Sequence, residues 1–153
     1  MIDYRKKTIT KGQQQLRCGY TTGTCAAAAA KAAAVALLTG EICRDVAICL
    51  PGGENILLET ETLEHQKNCV KCGVIKDAGD DPDITNGLMI CADVEKNTSG
   101  EICIDGGEGV GRVTQPGLDQ PVGAAAINSV PRKMIQEAVE SVCRQYHYTE
   151  GLM

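Results

Sequence analysis

The residues Thr21-Thr22-Gly23-Thr24-Cys25, five alanines Ala26–Ala30, and then Lys31-Ala32-Ala33-Ala34 constrain the fold more than any other stretch. Alanine is the strongest helix former and leaves almost no side chain to protrude. The run predicts a helix from about Thr24 to Thr39, with Thr22 or Thr24 as N-cap and Gly40 as the C-terminal stop. Its smooth surface allows close approach by either another element of the fold or a flat ligand. A single capping hydroxyl would suffice to start such a helix. Tyr20, Thr21, Thr22 and Thr24 around Gly23 exceed that need, and the helix N-terminus with its unbonded N–H groups suits an anion.

Charge is distributed unevenly. Residues 1–31 carry Arg5, Lys6, Lys7, Lys11, Arg17 and Lys31 against Asp3 alone, a net +5, while the remainder holds 9 basic and 19 acidic residues. The full chain of 153 residues is net −5. An acidic protein with one basic end points to a local site for a small anion and away from nucleic acid. With no Phe or Trp and four Tyr, the chain also lacks the stacking platforms of single-strand binders.

The length suits one domain. Residues 1–15 read as a basic, loosely ordered N-terminal segment, and 16–153 as a single α+β domain with a mostly antiparallel or mixed sheet and two main helices. Strands are expected at Asp45–Leu50, Asn55–Thr62, Cys69–Lys76, Leu88–Glu95 and Glu101–Asp105, with Asn97-Thr98-Ser99-Gly100 as a hairpin loop. Residues 106–131 read mainly as ordered loop. Ile135, Ala138, Val139, Val142 and Tyr146 share one face of a second helix from about Pro131 to Tyr146, which Asn128 or Ser129 can cap.

Nine cysteines, an odd number and several inside apolar runs, read as reduced thiols of a cytoplasmic protein. The longest apolar stretch, Ala32 to Leu38, is too short to cross a membrane, so no membrane partner is expected. Cys69-Val-Lys-Cys72 lacks the further ligands that zinc needs, and it lies in strand-like sequence where a redox pair would open a helix. No metal site is assigned.

Two further segments carry chemistry. Lys76-Asp-Ala-Gly-Asp-Asp-Pro-Asp83 crowds four carboxylates. It fails as a calcium loop, since Asn86 and Ala92 stand where Gly and Glu are required counting from Asp81. Solvated turn acids and a cleft that raises one carboxyl for base work both remain open. Gly106-Gly-Glu-Gly-Val-Gly-Arg112 lets backbone approach a ligand, and Arg112 can grip a carboxylate. Its glycine spacing does not match a dinucleotide fingerprint.

Leu16–Lys31, Lys76–Asp83, Gly106–Thr114, Pro116-Gly-Leu118 and Ala126–Ile135, in this order, closely resemble the CbiD family of cobalamin biosynthesis. The resemblance implies transfer of a methyl group from S-adenosylmethionine to ring carbon C1 of cobalt-precorrin-5B, giving cobalt-precorrin-6A. Family members are considerably longer, so the chain resembles their N-terminal part. Gln115, Ala125 and Ser129 stand where the family pattern usually has Lys, Pro and Pro. The substrate would be a flat cobalt tetrapyrrole with many carboxylate arms. Arg17, Tyr20, Thr21, Thr22, Thr24 and Arg112 are expected to hold those arms, with the alanine surface against the ring. Asp80 is the candidate catalytic carboxylate, balancing charge or moving a proton. Asp77, Gly107, Gly109 and Gly111 are the candidates for the methyl donor. Two alternatives stay open: a noncatalytic tetrapyrrole-binding or assembly module that needs a separate part for the methyl donor, and a thiol-based metal or redox protein; a homo-oligomer is also left open as the chain's assembly.

Overall fold

The computed structural model describes residues 6–153, so Arg5 and the rest of residues 1–5 lie outside it. Seven strands and two helices follow one another as β1 (Thr8–Lys11), β2 (Gln14–Arg17), α1 (Thr22–Thr39), β3 (Asp45–Cys49), β4 (Asn55–Glu59), β5 (Glu61–His65), β6 (Cys69–Ile75), β7 (Met89–Glu95) and α2 (Ser129–Gln145). They form three small sheets, β1-β2, β3-β4 and β5-β6-β7, with every strand pair antiparallel. This is an α+β architecture.

The long helix α1 lies against β3, β5, β6, β7 and α2. Its packing decides between the two uses of a smooth alanine surface. Ala27, Ala28, Ala29, Ala32, Ala33, Ala34 and Ala36 are all fully buried. The helix is apolar on nearly every side because it is enclosed on nearly every side. By length and composition α1 is enough to cross a membrane, more than the stretch Ala32–Leu38 alone suggested, but here it is the core helix. The alanines therefore serve close packing, and only Ala26 and Ala30 reach a cavity.

The helix begins two residues earlier than expected. Thr21 is the N-cap, its hydroxyl accepting from the Thr24 N–H at 3.1 Å. Gly40 ends the helix in the left-handed conformation at φ 78, as expected. In β3 and β4 the alternation is regular: Val46, Ile48, Ile56 and Leu58 are buried while their neighbours face out. The expected strand over 55–62 is two strands. Thr60 interrupts it by donating its N–H to the Arg44 carbonyl and its hydroxyl to the Cys43 carbonyl.

Residues Glu101–Asp105 form no strand, and Asn97–Gly100 closes no hairpin. Ile102 instead bridges Leu152 in parallel, while Lys96 bridges Leu152 from the other side. Leu152 is 1% exposed, so this three-way contact belongs to the core. In α2, Ala138, Val139 and Val142 are buried as the stripe requires, whereas Tyr146 ends exposed. Asn128 occupies its N-cap position without a capping bond. The Asp119 carboxylate caps α2 from a distance, accepting from the Ser129 N–H at 2.6 Å and its hydroxyl at 2.8 Å.

Candidate functional site

Two motifs separated by sixty residues are zipped together at the start of α1. The Tyr20 N–H donates to the Asp77 carbonyl at 2.6 Å, and the Asp80 N–H to the Arg17 carbonyl at 3.0 Å. The Arg17 N–H donates in turn to Asp80 Oδ2 at 2.6 Å. The Arg17 guanidinium forks onto Asp77, at 2.7 and 2.9 Å. Both backbones approach so closely that only glycine fits. A Cβ on Gly19 would collide with the Ala78 and Gly79 backbone, and one on Gly79 with the Arg17 carbonyl. Gly79 also adopts φ 65.

Lys76 lies beneath this junction and was not singled out by the sequence. It is 3% exposed. Its ammonium donates to Asp83 Oδ2 at 2.6 Å, Thr85 Oγ1 at 2.7 Å and Thr22 Oγ1 at 2.9 Å, which uses all three of its protons. The Asp83 carboxyl is held well below its ordinary value, first by Lys76 and then by the Thr85 hydroxyl and N–H. The only sequence signal was a lysine at the end of an apolar strand, next to acids. Thr22 accepts from Lys76, so its own proton points elsewhere.

Beside this network is a cleft of about 760 Å³. Thr22, Gly23, Ala26 and Ala30 of α1 line it, as do residues 90–95 of β7, the loop at Gly106, Gly107, Gly109 and Gly111, and the start of α2 at Asn128 and Pro131. A Cβ on Gly23 would lie 3.0 Å from Pro131, so the two helix N-termini meet at this wall. A Cβ on Gly107 or Gly111 would meet nothing, so the loop is open to the cleft.

The expected residues divide accordingly. Thr22, Gly107, Gly109 and Gly111 share the cleft. Thr24 and Tyr20 are buried, and Thr21 is engaged with Thr24 in the cap. Arg17, Asp77 and Asp80 are bonded to one another outside the cleft lining. Arg112 also lies outside it, its guanidinium 2.5 Å from Asp105. That pairing pulls the Asp105 carboxyl below its usual range. The cleft thus carries the positive ends of two helix dipoles and Asp105, with no lysine or arginine among its lining; Asp93 and Glu95 border it through the β7 backbone, their side chains on the opposite face of the strand, paired across from Lys71 and Cys69. Asn128, exposed at the α2 start with no capping bond, is a further polar group that the sequence reading treated only as a cap.

The cysteines form no cluster. Cys69 and Cys72, three apart on β6, face opposite sides of the strand, Cys72 fully buried. Burial pushes the Cys25 thiol up to about 11. Among the described residues, no three His, Cys, Asp or Glu side chains gather as a metal would need.

The junction of the threonine turn with the acidic loop, beside a glycine-walled cleft, draws on four of the five segments that resembled one family. The CbiD family model matches residues 9–152. The chain belongs to the CbiD family. Curated CbiD relatives named cobalt-precorrin-5B C(1)-methyltransferase include one from Ruminiclostridium cellulolyticum, 51% identical over 94% of this chain and 37% of its own length. Another from Geobacillus kaustophilus is 50% identical over 92% of this chain and 38% of the relative. The chain spans less than two fifths of the length of either. A crystal structure of a CbiD cobalamin biosynthesis protein from Archaeoglobus fulgidus superposes with TM-score 0.67 at 29% identity, over 95% of this chain and 45% of that one.

Proposed function

We propose that this chain forms the ligand-facing part of a cobalt-precorrin-5B C1-methyltransferase. The reaction moves a methyl group from S-adenosylmethionine to ring carbon C1 of cobalt-precorrin-5B, giving cobalt-precorrin-6A. Beside the CbiD match, the observation that carries this reading is the cleft, where Thr22 and the Gly106–Gly111 loop stand together though far apart in sequence. Its mixed polarity supports two kinds of ligand. Helix N-termini and the Thr22 hydroxyl complement carboxylate arms. Asp105 complements a cationic sulfonium.

S-adenosylmethionine supplies an electrophilic methyl group and needs no covalent help from the protein. What the chain contributes is alignment and exclusion of water. Gly107 and Gly111 let backbone lie against the donor, and Thr22, held by Lys76, offers its proton to an arm of the macrocycle. In this reading Asp77 and Asp80 act by fixing the turn rather than by touching the ring. The substrate partner is a small cobalt tetrapyrrole. A cytoplasmic setting is supported by nine cysteines that are all free.

Calorimetric titration of the 153-residue chain with S-adenosylmethionine and, separately, with a polycarboxylate tetrapyrrole tests the assignment. Each should give saturable heat, and Thr22→Val should weaken the tetrapyrrole about tenfold, about 1.4 kcal/mol. Heat from the tetrapyrrole alone would favour a noncatalytic binding module. Heat from neither would overturn the assignment.

A further inference from the structure

Two arginine–aspartate pairs stand at this site, and they are built differently. Arg17 reaches Asp77 with both arms of its fork, at 2.7 and 2.9 Å, and the Gly79 N–H donates to the same carboxylate at 2.9 Å. That pair fastens the turn junction. Arg112 reaches Asp105 with one arm: its Nη1 donates to Oδ1 at 2.5 Å, and the Gly106 N–H donates to the same oxygen at 2.8 Å. Among the described residues, the remaining donors of this guanidinium and Asp105 Oδ2 have no hydrogen-bond partner. The two side chains are 49% and 53% exposed, so the pair contributes little stability and parts easily. Its backbone can stay where it is. Arg112 bridges Ala125, flanked by the bonds from Ala126 N–H to the Gly111 carbonyl and from Val113 N–H to the Ala124 carbonyl. A change of rotamer is enough to release Asp105.

Position gives that release a consequence. Asp105 and Gly111 line the cleft, and Arg112 stands at its rim. Arg132 also lends Asp105 positive charge, but its Nε and Nη2 protons are committed to the Ile127 and Ala125 carbonyls. While Arg112 holds Asp105, a cation in the cleft meets a neutralised carboxylate. We propose, resting on the methyltransferase reading of this cleft, that Arg112 and Asp105 form an exchangeable pair through which the two ligands bind cooperatively. A carboxylate arm of the tetrapyrrole takes Arg112, whose planar fork matches it. Asp105, released, turns its charge on the sulfonium of the methyl donor. The coupling is reciprocal, since a donor that has drawn Asp105 leaves Arg112 open to the arm. It also ends with the chemistry. When the methyl group leaves for carbon, the electron pair of its bond stays on sulfur, and the neutral thioether no longer attracts Asp105.

Calorimetry of the 153-residue chain reads the coupling, with uroporphyrin as the polycarboxylate tetrapyrrole. S-adenosylmethionine should bind about tenfold more tightly when uroporphyrin saturates the chain, and uroporphyrin should gain the same factor from S-adenosylmethionine. S-adenosylhomocysteine, the neutral thioether, should gain nothing. Arg112→Gln frees Asp105 permanently, so it should tighten S-adenosylmethionine alone about tenfold, weaken uroporphyrin and abolish the coupling. Asp105→Asn, which keeps an acceptor for the Gly106 N–H, should shift each ligand the opposite way and also abolish the coupling. A gain that survives in Asp105→Asn would come from the arms' own charge and would overturn the proposal. So would an S-adenosylmethionine affinity unmoved by Arg112→Gln. Independent binding of both ligands overturns the coupling and leaves the methyltransferase reading standing, whereas binding of neither overturns both.

Discussion

At the scale of single residues, the glycines at the turn junction separate packing from ligand contact. Gly19 and Gly107 look alike in the sequence, yet a Cβ on the first strikes backbone and on the second meets open space. Backbone cannot yield as a side-chain tip can, so Gly19→Ala should cost about 3 kcal/mol or more in urea unfolding. Gly107→Ala should stay within about 0.5 kcal/mol and alter only ligand affinity. Lys76 invites a second test. Lys76→Met removes the donor shared by Thr22, Asp83 and Thr85, and should cost about 2 kcal/mol. The same network has a pH signature. Because the Asp83 carboxyl is lowered on folding from 3.8, its contribution is complete above that value and is lost progressively as pH falls from there toward the lower folded value. Acid titration of the unfolding midpoint should show a steep loss below about pH 4, which Asp83→Asn should flatten.

At the scale of elements, α1 owes its composition to enclosure. Ala33 is fully buried on a helix that touches sheets and α2 alike. Leucine is nearly as good a helix former, so propensity predicts no loss for Ala33→Leu. Overpacking predicts destabilisation of about 1–3 kcal/mol in thermal unfolding, and that is the outcome expected. Helix α2 depends on a distant cap. Asp119→Ala should lower the melting temperature, whereas Asn128→Ala, which removes no capping bond, should leave it unchanged.

At the scale of the whole molecule, thiol chemistry reports the fold. Cys49 and Cys91 are exposed, while Cys25 and Cys72 are fully buried. A thiol reagent should label the first pair promptly. The second pair should react only at the rate of global unfolding, with Cys25 further slowed by a thiol raised to about 11. Prompt labelling of Cys25 would mean that α1 is not the centre of the core.

By itself the sequence determined the elements whose signals are local. Alanine content and Gly40 specified α1, and alternating aliphatic residues specified β3 and β4. A stripe at helical spacing specified α2. Local signals also misled, because Thr60 breaks a strand and residues 101–105 abandon a hairpin for bonds to Arg44 and Leu152 that lie far along the chain. Tertiary structure alone decided that Arg17 and Asp77 neutralise each other across sixty residues and that Lys76 is buried under Thr22. It also decided that Thr22 faces a cavity while Thr24 does not. Those outcomes depend on which surfaces meet. A charge or hydroxyl reads the same in sequence whether its partner is water, ligand or a residue of a remote loop.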